Sequence, residues 1–394
     1  MKRLFIICFL TFSVCTSAQN EIISGLISHI NEDSIAYNVK QLENFKTRFA
    51  FAENNKDVAL YLQMRMQQYG FESTIDSFFV EQSHIYVDSV VFSGWQYNVL
   101  CLKKSSKELV SDTSVILGAH YDCISNIDGF KDYLHYAPGA DDNASGVACL
   151  LELARVWNTY ANEQKLNLRI EFYDCEEMNL AGSNDRLYKL SSPWTMFIPA
   201  MINLDMVGSD STNTVSINYY DNAHRITALA VNNTGLYTDL RVNMSQELIQ
   251  RSDSWNFFAW GIPSLFISEH DFSPYYHSLR DSCSYLNYPY MAKITAITLS
   301  VVYDIVNEYR TVDLQDIQKD IVRFLPQNGK ISVLSENKDS KDIIITNASG
   351  QCVFKKRMKG SNITVNTSNL TAGTYIITAT KNNKQFSKKF FIKN

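Results

Sequence analysis

Residues 138–152 read PGADDNASGVACLLE. A small-residue loop delivers two adjacent carboxylates, Asp141 and Asp142, and then turns into an apolar run. Asn143 and Ser145 are good N-cap types, and Val147, Leu150, Leu151 and Ala154 recur at helical spacing. The pattern predicts a loop that places carboxylates at a helix start, where they can sit beside a cation. Taken alone, the same stretch is a capped turn with a solvated acidic pair. The rest of the chain shifts the balance, and it makes Asp142 the candidate centre of a metal cluster.

Around this stretch the pattern is strand, loop, helix, repeated. Residues 114–119 (SVILGA) read as a short apolar strand, and residues 168–173 as a second, followed by a helix over about 184–190. A third strand is expected at 200–204 and a fourth at 264–267. Residues 290–309 read as a long amphipathic helix with Pro289 at its start. Ahead of all these, residues 20–70 read as helices, the last stopped by Gly70, and residues 71–103 as strands. Such alternation implies an α/β domain with a mostly parallel sheet flanked by helices.

Open α/β sheets bind ligands beyond the carboxyl ends of their strands. Here the strand SVILGA runs into His120, Tyr121 and Asp122, and LRIEFY into Asp174, Cys175, Glu176 and Glu177. AMINL is followed by Asp205, and SLFI by Ser268, Glu269 and His270, with His277 a few residues on. Buried carboxylates in such numbers are costly unless a cation pairs them. Imidazoles mixed with carboxylates suit zinc-like metals, whereas calcium or magnesium takes oxygen alone. Four to five candidates exceed the needs of one open zinc site; a bridging carboxylate between two ions ~3.5–4 Å apart uses them all. Adjacent residues on extended chain point opposite ways, so of Glu176 and Glu177 one can ligate while the other acts as a base. Asp122, two residues after His120, can accept the imidazole N–H and fix its tautomer.

These residues resemble a known family. The set His120-x-Asp122, Gly139-Ala140-Asp141-Asp142-Asn143-x-Ser145-Gly146, Glu176-Glu177, Leu204-Asp205-Met206 and Tyr276-His277 is similar to the co-catalytic zinc aminopeptidases. These secreted leucyl-type enzymes are related in fold to glutamate carboxypeptidase, glutaminyl cyclase and the transferrin receptor. The resemblance covers roughly residues 30–310. It implies two zinc ions, one on His120 and Asp205 and one on Glu177 and His277, with Asp142 bridging both. It also implies that Glu176 is the general base for a metal-bridging water, and that the Asp142–Asn143 peptide is cis. His277 is preferred over His270 because Tyr276-His277 followed by Asp281 matches the family pattern. Two positions depart from it: Asn179 stands where Gly is usual, and Ser254 where His is frequent. Phe257, Phe258, Trp260, Tyr275 and Tyr276 are candidates for a specificity pocket, or for core and rim.

The two ends differ from the body. Residues 1–18 combine Lys2 and Arg3, a short apolar run and Thr16-Ser17-Ala18, the pattern of a signal peptide cleaved after Ala18. No later segment reads as long and apolar enough to cross a membrane. From Gly329 onward there are twelve Lys and Arg against three Asp and Glu, which leaves 24 basic and 38 acidic residues before it. An acidic body argues against a nucleic-acid partner. Six cysteines remain beyond the leader, without CxxC spacing, so no thiolate metal or redox motif is supported.

Residues 313–328 read as a linker after a peptidase domain over 19–312. Residues 329–394 follow as short strands separated by turn signals, a small C-terminal β-sandwich. Asn347-x-x-Gly350, Leu370-x-x-Gly373-x-Tyr375 and the Lys-rich end resemble the sorting domain of type IX secretion. That resemblance implies outer-membrane secretion machinery as a partner, and a secreted or surface-attached product. The leading function is a secreted zinc aminopeptidase acting on peptide substrates. A glutaminyl-peptide cyclase and a non-catalytic surface-binding module of the same fold are the alternatives.

Overall fold

Alternation along each strand sorts the central sheet into two faces. In the computed structural model, Val115, Leu117 and Ala119 of the strand ending at His120 join one apolar cluster, while Ile116 joins another. Ile202 and Leu204 face the first cluster and Met201 the second. This is the period-2 pattern of a strand buried on both sides. The structure describes residues 19–84, 90–107, 112–126, 133–161, 163–190, 196–308, 322–327, 330–335, 340–347, 349–360, 362–381 and 384–392. The expected leader at 1–18 lies outside these.

The sheet is built from β1 (Glu72–His84), β2 (Val91–Lys103), β3 (Asp112–His120), β4 (Asn167–Tyr173), β5 (Met196–Phe197), β6 (Met201–Leu204), β7 (Thr214–Tyr219), β8 (Arg241–Ser245) and β9 (Ser264–Glu269). Its order is β1-β2-β4-β3-β6-β9-β7-β8, with β5 beside β3. The centre, β4-β3-β6-β9, is parallel, as is the pair β7-β8. The β1-β2, β2-β4 and β7-β9 pairings are antiparallel. The sheet is therefore mixed, with its parallel part where the ligand-bearing strands lie. Continuous burial along β3 is what a central parallel strand requires.

Helices cover both faces. They are α1 (Glu21–Ile27), α2 (Glu32–Glu43), α3 (Asn55–Gln68), α4 (Gly146–Tyr160), α5 (Ala181–Lys189), α6 (His224–Tyr237), α7 (Ser254–Ala259) and α8 (Tyr288–Glu308). Leu150, Leu151 and Ala154 of α4 and Met291, Ile294 and Ile297 of α8 fill the larger cluster with Leu117 and Ile202. Leu187 of α5 and Phe257 of α7 close the other face against Ile116 and Met201. By length and composition α8 alone among the described helices is apolar enough to cross a membrane, but 72% of that window is buried inside the protein. It is a core helix here. All six described cysteines are free, with Cys101, Cys149 and Cys175 buried as their apolar contexts suggest.

The C-terminal strands form two further sheets. One has the order β10 (Val322–Gln327), β11 (Lys330–Ser335), β14 (Asn362–Asn366). The other runs β13 (Cys352–Lys359), β12 (Ser340–Asn347), β15 (Gly373–Lys381), β16 (Lys384–Ile392). Ile331, Val333, Ile363 and Val365 of the first pack with Ile343, Ile345, Ile377 and Phe390 of the second, which makes a sandwich. The linker expected over 313–328 is shorter than its sequence suggests, because residues 322–327 pair with β11 in full register. Pro326 demotes that run as a strand, yet β10 lies at a sheet edge, where a missing N–H is tolerated.

Leu117 sits at the middle of β3 with no solvent exposure. Leu117→Ala is expected to cost about 2–5 kcal/mol of stability, read as a lowered urea midpoint for the α/β part. A loss below about 1 kcal/mol, the size of a tolerated surface change, removes β3 from the core.

Candidate metal centre

Five expected ligands arrive from the ends of four strands and from the turn ahead of α4. His120 closes β3, Glu177 follows β4, Asp205 follows β6, and His277 follows β9 in a longer loop. Asp142 lies in the tight turn at residues 140–145 that enters α4. Nε2 of His120 is 3.1 Å from Oδ1 of Asp142 and 3.2 Å from Oδ1 of Asp205. Nε2 of His277 is 3.0 Å from Oδ2 of Asp142 and 2.9 Å from Oε2 of Glu177. The donor atoms thus form two triads, His120-Asp142-Asp205 and Asp142-Glu177-His277, each within 4.8 Å. One oxygen of Asp142 faces each triad.

The turn that carries Asp142 is fixed from several sides. Its Asp141 and Asp142 amides donate to Oδ1 and Oδ2 of Asp281, at 2.8 and 3.0 Å. Arg48, fully buried, donates to the carbonyls of Tyr121, Pro138 and Gly139 and so ties the β3 end to the loop. The Asp142–Asn143 peptide is cis. Asn143 then donates to Leu204 O at 2.9 Å, while its Oδ1 accepts from the Gly146 amide. A Cβ at Gly146 would lie 2.6 Å from Leu204 O, so only glycine lets α4 approach the end of β6 this closely.

Asp122 lies beside the His120 ring and under the turn that follows β4. Nδ1 of His120 lies 3.1 Å from the Asp122 carbonyl and 3.4 Å from its Oδ1, which leaves Nε2 for the carboxylates. The same carboxylate accepts the amides of Glu176 and Glu177. It therefore sets the ring and the turn bearing both glutamates. Asp205 is held by Ser252, whose hydroxyl donates to Oδ2 at 2.6 Å and accepts from Asn203. Asn179 takes φ 71°, so Asn keeps the turn at the position where the family pattern has Gly.

Electrostatics follow from this crowding. Burial pushes Glu176 well above the usual carboxylate range, Asp205, Glu177 and Asp253 add to this, and His120 opposes it. Burial raises Glu177 to about 7 against the pull of His277. Asp253 is likewise raised to about 7 by burial. Burial would lower His277, yet Glu177 and Asp142 lift it to about 10. Asp142 is lowered despite its burial by the two imidazoles beside it. Two imidazoles cannot balance the buried carboxylates around them.

The donor set fits metal ions. Nε2 of His277 has two carboxylate oxygens within 3.0 Å but meets the angular requirement of a hydrogen bond to neither. Oε1 of Glu177 is buried without a partner. Atoms arranged this way aim at a shared point rather than at one another. His270, the rival ligand, is exposed and faces Ser216 at 3.4 Å. Of the aromatic candidates, Phe257 is core, Phe258 stacks on Tyr220, and Tyr276 stacks on the His277 ring at 3.6 Å. Sequence reasoning missed Arg48 and Ser252 and named Asp281 without a role. A lone Arg in an apolar stretch carries no signal of the carbonyls it will meet some 90 residues away.

Residues 98–302 match the model of peptidase family M28, and residues 325–393 match the secretion system C-terminal sorting domain. The uncharacterized protein YfbL of Escherichia coli is 29% identical over 228 residues, covering 48% of this chain and 66% of that protein. Leucine aminopeptidase 1 of Paracoccidioides brasiliensis is 24% identical over 300 residues, covering 72% of this chain and 73% of that protein. Among solved structures, the LapA aminopeptidase of Legionella pneumophila aligns with a TM-score of 0.60 at 21% identity. That alignment covers 73% of this chain and 75% of LapA, and shows a shared fold.

Asp281 grips the bridging turn through two amides, so Asp281→Ala is expected to weaken metal binding by about 10–100-fold. Competition against a chromogenic chelator measures this. Unchanged affinity removes Asp281 from its positioning role.

Proposed function

Because the chain belongs to peptidase family M28, we propose that it is a zinc-dependent aminopeptidase that removes N-terminal residues from peptides. The observation that carries the reading is the Asp142 carboxylate, which offers one oxygen to each of two donor triads. His120, Asp142 and Asp205 would hold one zinc ion, and Asp142, Glu177 and His277 the other. Mixed imidazole and carboxylate donors favour zinc over calcium or magnesium. Two such ions supply Lewis acidity, polarising the scissile carbonyl and acidifying a water.

Everything else is the work of the chain's own residues. Glu176 is 8% exposed, beside His120 and Asp205, and burial raises its affinity for a proton. As the carboxylate such a group takes a proton from the attacking water, and as the resulting acid it delivers that proton to the leaving amine. Asp122 holds His120 and the Glu176 amide together, so acid-base group and ligand share one support. Ser252 fixes the orientation of Asp205. Tyr276 lies flat against the His277 ring and excludes water from one side of it.

A glutaminyl cyclase shares the fold and needs one zinc. The presence of both triads favours the two-metal hydrolase, and product mass separates the two: cyclisation loses ammonia, whereas hydrolysis adds water. A non-catalytic binding module predicts eroded ligands, and against it stand the two triads of ligand-type residues. The C-terminal sandwich is the sorting element, carrying the peptidase through outer-membrane secretion machinery after removal of the leader at 1–18. The product is secreted or held at the cell surface.

Glu176→Gln is expected to lower turnover of an aminoacyl anilide by about 10²–10⁴-fold while two zinc ions per chain remain by elemental analysis. Retained activity eliminates Glu176 as the base. His277→Ala is expected to lower the zinc content by one ion; an unaltered count places that metal elsewhere. Deleting residues 322–394 is expected to trap an active enzyme in the periplasm, and normal export without them refutes the sorting role.

A further inference from the structure

A second concave site lies beside β2. A cleft of about 280 Å³ opens between residues 50–56, which include the start of α3, and residues 92–97 of β2. None of the proposed metal ligands lines it. The Phe51 and Phe92 rings stack along it with centroids 5.2 Å apart, and Trp95, 58% exposed, and Tyr97 extend the aromatic wall. Lys56 sits above the Tyr97 ring with its ammonium 5.6 Å from the centroid.

Three polar features here ask for an oxygen acceptor. Asn55 and Lys56 open α3, so the positive end of its dipole lies at the cleft, with no side-chain cap from Asn54 and the Asn55 amide donating to Ala52 O. Lys56 is exposed and brings a full charge. Gln96 is fully buried, and its Oε1 accepts from Asn55 at 2.8 Å, which fixes the orientation of the amide. Its Nε2 is then left without a partner. A buried N–H donor with no acceptor is costly, and a ligand oxygen removes that cost.

Glu53 stands on the same rim. It repels a bare inorganic anion but accepts an N–H. The aromatic wall takes an apolar side chain. Taken together, the geometry points to a binding site for the C-terminal residue of a peptide with an apolar side chain. Its carboxylate meets Lys56 and Gln96 Nε2, its N–H meets Glu53, and its side chain lies against Phe51 and Phe92. The site stands at the catalytic end of the sheet. Asn55 Nδ2 and the Tyr97 amide both donate to Oδ2 of Asp174, two residues before Glu176.

Calorimetric titration of the full, metal-loaded chain with N-acetylphenylalanine tests this. The probe has an apolar side chain, a carboxylate and an N–H, and its blocked amine makes it a poor aminopeptidase substrate. Saturable binding is expected, weakened about tenfold or more in Lys56→Ala and in Gln96→Leu. N-acetylphenylalaninamide, which lacks the carboxylate, is expected to bind about tenfold more weakly as well. Absence of saturable binding overturns the site, and so does equal binding by wild type and both variants, which places the probe at the metal centre. Equal affinity for the amide overturns the carboxylate contact. The readout needs no turnover, so its outcome is independent of the proposed hydrolysis. Lys56 is a surface residue whose truncation leaves the core intact, so its result stands even if Gln96→Leu unfolds.

Discussion

A single carboxylate shared by two imidazoles organises this protein. Asp142 faces His120 with one oxygen and His277 with the other, and those histidines sit 157 positions apart in the chain. Such sharing is stable only if the carboxylate cannot turn away, and the surrounding contacts see to that. Asp281 fixes two amides of the turn, Arg48 fixes the carbonyls that precede it, and Asn143 clamps its exit to β6. Each of these groups is buried and each is satisfied by backbone rather than by another charge. A rigid cradle of this kind holds negative charge that solvent would otherwise have to stabilise.

The sheet explains why the ligands converge. In β4-β3-β6-β9 the strands run parallel, so their carboxyl ends share one edge, and any residue placed just beyond an end faces the same crevice. Antiparallel strands added outside that group extend the platform without disturbing it. Burial on both faces makes the four strands stiff, and Leu117 and Ile116 anchor opposite helical layers. The candidate site residues ride on the turns that leave this stiff centre, which is how loops achieve fixed geometry.

The parts legible in the sequence were those with local signals. Apolar runs ending in His, Asp or Glu announced β3, β4, β6 and β9 and the residues they deliver, and period-3.6 spacing announced α3, α4 and α8. What stayed hidden depends on distant partners. β7 reads Thr-Val-Ser-Ile-Asn-Tyr, and its polar positions are buried because Asn218 bonds to Ser268 on β9. β10 carries a proline that argues against a strand until its edge position is known. Arg48 and Asp281 act on backbone atoms that no motif marks. Glu269, which follows SLFI like a ligand, instead accepts from the Ser209 and Ser273 amides, so residue type and strand end alone overcount the ligands.

Glu269 and Asp253 show what separates a ligand from a merely buried acid. Glu269 finds backbone donors for both oxygens, which oppose the burial that raises it to about 7. Asp253 has neither oxygen hydrogen-bonded, and burial raises it to about 7. Asp142 differs from both. Its side chain has no backbone donor among the described residues, it faces two imidazoles, and it is lowered despite its burial. Such a carboxylate, lowered by an imidazole beside each oxygen, is the group that a cation on each side would suit under the proposed function. Glu177, with a free Oε1 and a contact to His277, is a second candidate on geometry. The candidate ligands are thus set apart by the partners they lack.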